Sequence, residues 1–292
     1  MNSGIWAVVF VLNFLWVRVD VAGDFALGRK IGQTIAEKTP QSFFLNLKKI
    51  LSESDFSFCN LEGCLKVPAE NQPENVIETR PKARFDLSFS DEHSLFLKET
   101  GFHAFGAANN HQFDSGTDNL EKLRAITGTN IIRGVQLQKV RSLSFAIIAF
   151  DYSSPGRESW KIDLDKHSDR VSFLKTVRDL SQTNCTIVFL HGGKEDSDYV
   201  SLQEREFFKK LIDAGAIGVF CCHAHRKKRI EWYKGKPIYY SLGSVLFDRV
   251  RFPDKLGLMV RIHFWANCPV YFEPHFIEIR PDLTPVCLKP DM

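Results

Sequence analysis

Short apolar runs of β type recur along the chain, and each ends abruptly in a polar, chemically capable residue. Candidate strands run from Leu15 to Ala22, Phe56 to Cys59, His103 to Ala107, Ser144 to Phe150, Cys185 to Leu190, Ile217 to Cys222 and Lys236 to Leu242. A strand-rich tail covers Gly257 to Phe264 and Val270 to Ile279. Amphipathic stretches lie between them. Leu120, Leu123 and Ile126 share one helical face, with Asp118 and Glu121 placed to cap its start. Phe173, Leu174, Val177 and Leu180 form a second stripe, and Phe207, Phe208, Leu211 and Ile212 a third that ends at Gly215. Alternation of strand and helix predicts an α/β fold with much parallel pairing. The β-rich back end favours a mixed or two-sheet core over a simple open sheet. The 292 residues, 44% of them hydrophobic, show no repeat and no dividing linker, so one domain over residues 1–292 with its core at about 15–280 is expected. Lys66 to Arg84, with Pro68, Pro73 and Pro81, reads as a long loop or exposed hairpin.

In open α/β sheets, ligands bind beyond the carboxyl ends of the strands. Asp24 follows the first run, Asn60 and Glu62 the second, and Asn110, His111 and Asp114 the third. His191 follows Cys185–Leu190, and His223 and His225 follow Ile217–Cys222. Topology would therefore bring these side chains together although they are far apart in sequence. His223 and His225 are one residue apart, so an extended backbone would aim both imidazoles the same way. Gly192 and Gly193 after His191, and Gly23 before Asp24, would let the backbone approach a bound group. Imidazole, carboxylate and amide donors suit Mn, Fe or Zn rather than a soft thiolate site. No nucleophile elbow, P-loop or dinucleotide fingerprint is present.

The ordered motifs GDFALGR, NLEGCL, GFHAFGAANNHQFDSG, LHGGKE, DAGAIGVFCCHAH and YKGKPIYYSLGSVLFD resemble the bacterial capsule-synthesis CapA family, whose members are associated with poly-γ-glutamate biosynthesis and are related to calcineurin-like metallophosphatases. The resemblance runs from about Asp20 to Asp248. It implies a four-layered α/β/β/α sandwich. It also implies metal ligation by Asp24, Glu62, Asn110, His191, His223 and His225, with His111 contacting substrate or leaving group and Asp24 and Asn110 sharing the catalytic work. Asn60 and Glu195 would lie at the pocket. The sequence departs from the family pattern at Ala26, where the phosphatases carry a ligand His, and at Cys222, Ser244 and His103.

Two functions follow. One is a metal-dependent hydrolase of an ester, phosphoester or amide in capsule or poly-γ-glutamate metabolism. The other is a non-catalytic accessory subunit that binds the polymer during synthesis or export, with other capsule-synthesis subunits as partners. Arg29 and Arg226 are candidate contacts to an anionic polymer or phosphoester. Arg226 begins the run Arg226–Lys227–Lys228–Arg229, which reads equally as a solvated turn. A net charge of +3 without aromatic interleaving argues against nucleic acid.

Seven cysteines without a CxxC pair favour a reducing, cytoplasmic setting, although Cys59 and Cys64 could pair in an exported protein and the resemblance allows an extracytoplasmic location. Ile5 to Val17 is too short to span a bilayer and has neither a preceding Lys or Arg nor a small-residue cleavage site. It is expected as a buried strand region rather than an export signal, with membrane association not expected.

Overall fold

The computed structural model describes residues 16–67, 85–154, 156, 158–265 and 268–288. Most of the apolar amino-terminal run and most of the Lys66–Arg84 loop lie outside these residues. Among the described residues, no helix is long and apolar enough to cross a membrane.

Among the described residues, fourteen strands form two sheets. The first is built on β1 (Trp16–Phe25), which pairs in parallel with β2 (Phe56–Leu61). Beyond β2 lie β3 (Ala104–Gly106) and β4 (Asn130–Ile132), also parallel. On its other side β1 pairs antiparallel with β12 (Leu256–Trp265), followed by β13 (Cys268–Ile279) and β14 (Pro285–Cys287). The short β11 (Ser244–Leu246) also pairs with β1. The second sheet has the order β5 (Gly134–Val140), β6 (Leu143–Asp151), β7 (Cys185–His191), β8 (Gly218–Cys222), β10 (Lys236–Tyr239) and β9 (Ile230–Tyr233), with β6, β7, β8 and β10 parallel.

Alternation along the strands divides the buried side chains into three layers. Val17, Val19 and Val21 of β1, Phe58 of β2, Phe145 and Ile147 of β6, Ile187 and Phe189 of β7, and Val260 and Ile262 of β12 meet between the sheets. Helices α1 (Lys30–Lys38), α2 (Pro40–Phe43) and α3 (Leu45–Leu51) cover the outer face of the first sheet together with α5 (Leu120–Thr127), and the short α4 (Asp91–Ser94) packs among them. Helices α6 (His167–Leu180) and α7 (Leu202–Asp213) cover the second through Phe173, Val177, Phe207, Phe208 and Leu211. The four-layered α/β/β/α sandwich is therefore the observed architecture, with one core layer between the sheets and one under each helical face. Phe58 is fully buried in the middle layer, edge-on to Phe189 at 5.2 Å. Phe58→Ala is expected to cost about 3–5 kcal/mol, read as a lower urea midpoint, because neighbours from two rigid sheets cannot collapse into the space.

Several local expectations change. The apolar stretch Lys236–Leu242 is not one strand. It leaves the second sheet after Tyr239, and Gly243, at φ 69°, turns the chain so that Ser244–Leu246 joins the first. The α5 helix begins after Asn119 with no side-chain cap. Asp118 instead accepts from Leu120 N (3.2 Å) and pairs with Arg133, while Glu121 pairs with Arg124. Cys59 and Cys64 are both free thiols, and Cys64 Sγ lies 3.5 Å from Ser115 Oγ.

Candidate metal centre

The carboxyl ends of β1, β2, β3, β7 and β8 converge at one end of the sandwich. A register irregularity between Val21 and Asp24 re-aims β1: Val21 faces the middle layer, and three residues later Asp24 points to the same side. Asp24 is completely buried and sits in register with Asn60. Asn60 Nδ2 donates to Asp24 Oδ1 (2.8 Å) and also lies 3.1 Å from His191 Nδ1. His191 Nε2 lies 2.8 Å from Asn110 Oδ1 and 3.1 Å from His223 Nδ1. The backbone N–H of His223 donates to Asp24 Oδ2 (3.1 Å). Single interactions thus link β1, β2, β7 and the loops after β3 and β8.

The convergence of His223 and His225 has a different cause from the one expected. Neither residue is extended: φ is 95° at His223 and 56° at His225, a region that non-glycine residues seldom occupy. A left-handed turn at the end of β8, rather than strand alternation, aims both rings inward. Such strain persists only where surrounding packing enforces it, and it concentrates at functional sites. The glycines also act differently. A Cβ on Gly192 would lie 2.7 Å from the Tyr152 ring, and one on Gly193 would lie 2.7 Å from Glu204 Oε1, so both serve close packing of the His191 loop.

Glu62 lies at the centre. It is fully buried, and neither carboxylate oxygen has a hydrogen-bond partner among the described residues. Its Oε1 is 3.6 Å from His225 Nε2, 3.7 Å from His111 Nε2 and 3.9 Å from His191 Nε2. Two groups of ligand atoms could each hold a metal ion: Glu62 with His191 and His223, and Asp24 with Glu62 and His225, the atoms in each lying within 4.8 Å of one another. Glu62 belongs to both.

Electrostatics point the same way. Burial pushes the Glu62 carboxyl well above its usual range, and the charges of Asp24 and Glu195 add to this. Burial also raises Asp24. His191 is driven well below the usual imidazole value by burial and then by the adjacent His223, and His223 falls to about 3 through burial and His225. Carboxylates forced toward neutrality beside imidazoles forced toward neutrality form a buried cluster that lacks a positive charge. A divalent cation would bring the carboxylates back to their charged form and take the neutral imidazole nitrogens as donors, so the orphaned Glu62 oxygens and this donor set fit a metal.

His111 stands at the rim. Its Nδ1 is 2.7 Å from Asp114 Oδ2, which also accepts from Leu87 N (2.8 Å), leaving Nε2 toward Glu62. Asn109, one residue before the expected Asn110, was not singled out by sequence reasoning. It is fully buried and donates to Asn60 Oδ1 (3.1 Å) and Leu61 O (2.8 Å), while its Oδ1 accepts from His111 N (3.1 Å). In a run of two asparagines, spacing gives no way to tell the bracing residue from the one that faces His191.

An adjoining cavity of about 320 Å³ is lined by Arg29, Asn110, His111, Asp114, Glu195, His225, Phe247 and Arg249, among others. Arg29 faces it while its Nε holds Asp248 at 2.9 Å. Glu195 Oε1 lies 3.4 Å from His225 Nε2, and the hydrogen bond from that ring holds the Glu195 carboxyl down at about 2. Arg226 does not line the cavity. It pairs with Asp254 at 3.1 Å. Ala26 packs into the helical layer behind β1, so position 26 presents no donor to the cluster. Arg249, which lines the cavity and pairs with Glu195 at 2.9 Å, carries no sequence signal beyond its place after the Phe247–Asp248 pair.

The sequence model of the bacterial capsule synthesis protein PGA_cap family matches residues 18–249. The chain belongs to that family. Two relatives agree: the PGA biosynthesis protein CapA of Bacillus subtilis is 25% identical over 285 residues, and the capsule biosynthesis protein CapA of Bacillus anthracis is 22% identical over 273. The matches cover 92% and 85% of this chain and 73% and 64% of those relatives. A solved 5'-nucleotidase of Candida albicans superposes with a TM-score of 0.49 at 10% identity, covering 92% of this chain and 53% of that one. The family match spans every member of the buried cluster, from Asp24 to His225, and ends at Arg249.

Proposed function

We propose that this capsule synthesis family member is a metal-dependent hydrolase that cleaves an ester, phosphoester or amide bond in an anionic substrate of capsule or poly-γ-glutamate metabolism. The observation that carries this reading is Glu62, a fully buried carboxylate without a hydrogen-bond partner among the described residues, shared by two groups of candidate ligand atoms. Asp24, Glu62, His191, His223 and His225 would hold one or two ions of Mn, Fe or Zn, with Asn110 beside them through His191. A divalent cation supplies Lewis acidity and an acidic water near neutral pH.

The chain's own residues supply the rest. Asp114 fixes the His111 ring so that its Nε2 can carry a proton to a leaving group at the cavity. Arg29, oriented by Asp248, offers a cation to an anionic part of the substrate. Phe247, whose ring centroid is 4.4 Å from that of His225, closes one wall against water.

Purified protein tests this directly with metal analysis and with assays on an aryl phosphate and on poly-γ-glutamate. Metal-dependent turnover is expected on at least one substrate. His111→Asn should lower kcat by about 10²–10⁴-fold with metal content unchanged. His223→Ala should lose both metal and turnover. Stoichiometric metal and polymer binding without turnover would replace this reading with the accessory-subunit one.

A further inference from the structure

Outside the ligand set, one chain of contacts ends on a candidate ligand. Arg249 Nη2 lies 2.9 Å from Glu195 Oε1, and that same oxygen lies 3.4 Å from His225 Nε2. Arg249 is tied down on its other side by Nη1, which pairs with Asp196. Phe247, two residues before Arg249, packs on the His225 ring. The opposite ring nitrogen, Nδ1, is buried without a hydrogen-bond partner among the described residues and lies 3.6 Å from Asp24 Oδ2. His225 is therefore held on its face by Phe247 and at Nε2 by Glu195, with Glu62 Oε1 3.6 Å from that same nitrogen and Asp24 Oδ2 3.6 Å from the other.

We propose that Arg249 is a positioning residue for the metal centre: by clamping Glu195 it fixes the His225 imidazole between the Asp24 and Glu62 carboxylates. This rests on the reading that the cluster binds a divalent ion. Glu195 is 40% exposed at its side chain and follows the Gly192–Gly193 turn, so without a clamp its carboxylate would sample solvent. Outer partners of ligating histidines commonly govern metal affinity by about 10–100-fold.

The sign of the effect separates positioning from simple charge. Removing a cationic guanidinium near a cation site should tighten cation binding on electrostatic grounds alone. Loss of a clamp should weaken it. The measurement is Mn²⁺ and Zn²⁺ affinity of the full chain by calorimetric titration after chelation, with the thermal midpoint of the metal-free protein as the folding control. Arg249→Gln is expected to weaken affinity about tenfold, Glu195→Gln by at least as much, and the double variant no further than Glu195→Gln alone. Arg249→Lys, which keeps the charge and one contact, should recover part of the loss and serves if Arg249→Gln fails to fold. Unchanged or tighter binding in Arg249→Gln, or strictly additive losses in the double variant, overturns the proposal. Absence of metal binding in the unmodified chain would instead overturn the hydrolase reading itself.

Discussion

Glu62→Gln is expected to weaken metal binding severely at both candidate positions while leaving the metal-free protein at least as stable as the original. Glu62 is the only residue common to the two ligand groups, so its loss is expected to weaken affinity by more than the roughly 100-fold upper end seen for outer-sphere partners. Stability moves the other way because the buried, unpartnered carboxylate is a liability without a cation. Its folded-state pKa lies well above the unfolded value of about 4.3. The folded state therefore binds more protons than the unfolded chain, and stability of the metal-free protein falls as pH rises from about 4.3 through the folded value. Glu62→Gln removes that fall.

The imidazoles act at the acid end. His191 and His223 are lowered, His223 to about 3, so the unfolded chain binds the extra protons, and stability falls as pH drops below about 6.5. Urea midpoints across pH 4–9, with and without chelator, check both limbs. Metal should broaden the stable range of the original protein and leave Glu62→Gln unaffected. Undiminished metal content in Glu62→Gln would remove the basis for the site.

The residues of the cluster were legible because parallel strands deliver their last side chains to one edge. Asp24, Asn60, His191 and His223 each stand at, or directly beyond, the end of an apolar run. The four layers were legible only through the resemblance, since apolar runs such as Phe145–Phe150 look alike whichever face they bury. The structure separates them: Phe145, Ile147 and Ala149 enter the middle layer, and Ile148 the layer under α6 and α7. What the sequence concealed are features set by contacts between distant segments. The left-handed backbone at His223 and His225 has no glycine to announce it. β5 carries Gln136, Gln138 and Lys139 among its apolar residues and is an edge strand, which weakens its strand signal. Arg226 and Arg249 are both arginines near the motifs, and only their acidic partners, Asp254 for one and Glu195 for the other, decide which of them belongs to the cavity.

Gly23→Ala should be among the most damaging single-methyl additions available to the chain. The added Cβ would lie 2.0 Å from the carbonyl oxygen of Gly243 and 2.9 Å from its carbon, both backbone atoms that cannot rotate away. That carbonyl accepts the Asp24 N–H at 2.9 Å, so relieving the clash means breaking the bond that seats Asp24. Gly243 in turn marks the crossing of the chain from the second sheet to β11, and the Lys227–Leu242 bridge lies beside it. A shift there moves the segment that follows His225. Overpacking of a tight interior costs typically about 1–3 kcal/mol, and a backbone-to-backbone clash belongs at or above the top of that range. The expected result is a loss of about 3 kcal/mol or more in urea denaturation, together with weakened metal binding in whatever fraction still folds. Native-like stability with metal loss alone would mean that β1 can shift away from Gly243 without disturbing the sheets. Unchanged values for both would mean that the close approach of Gly23 to Gly243 is not what holds Asp24 in place.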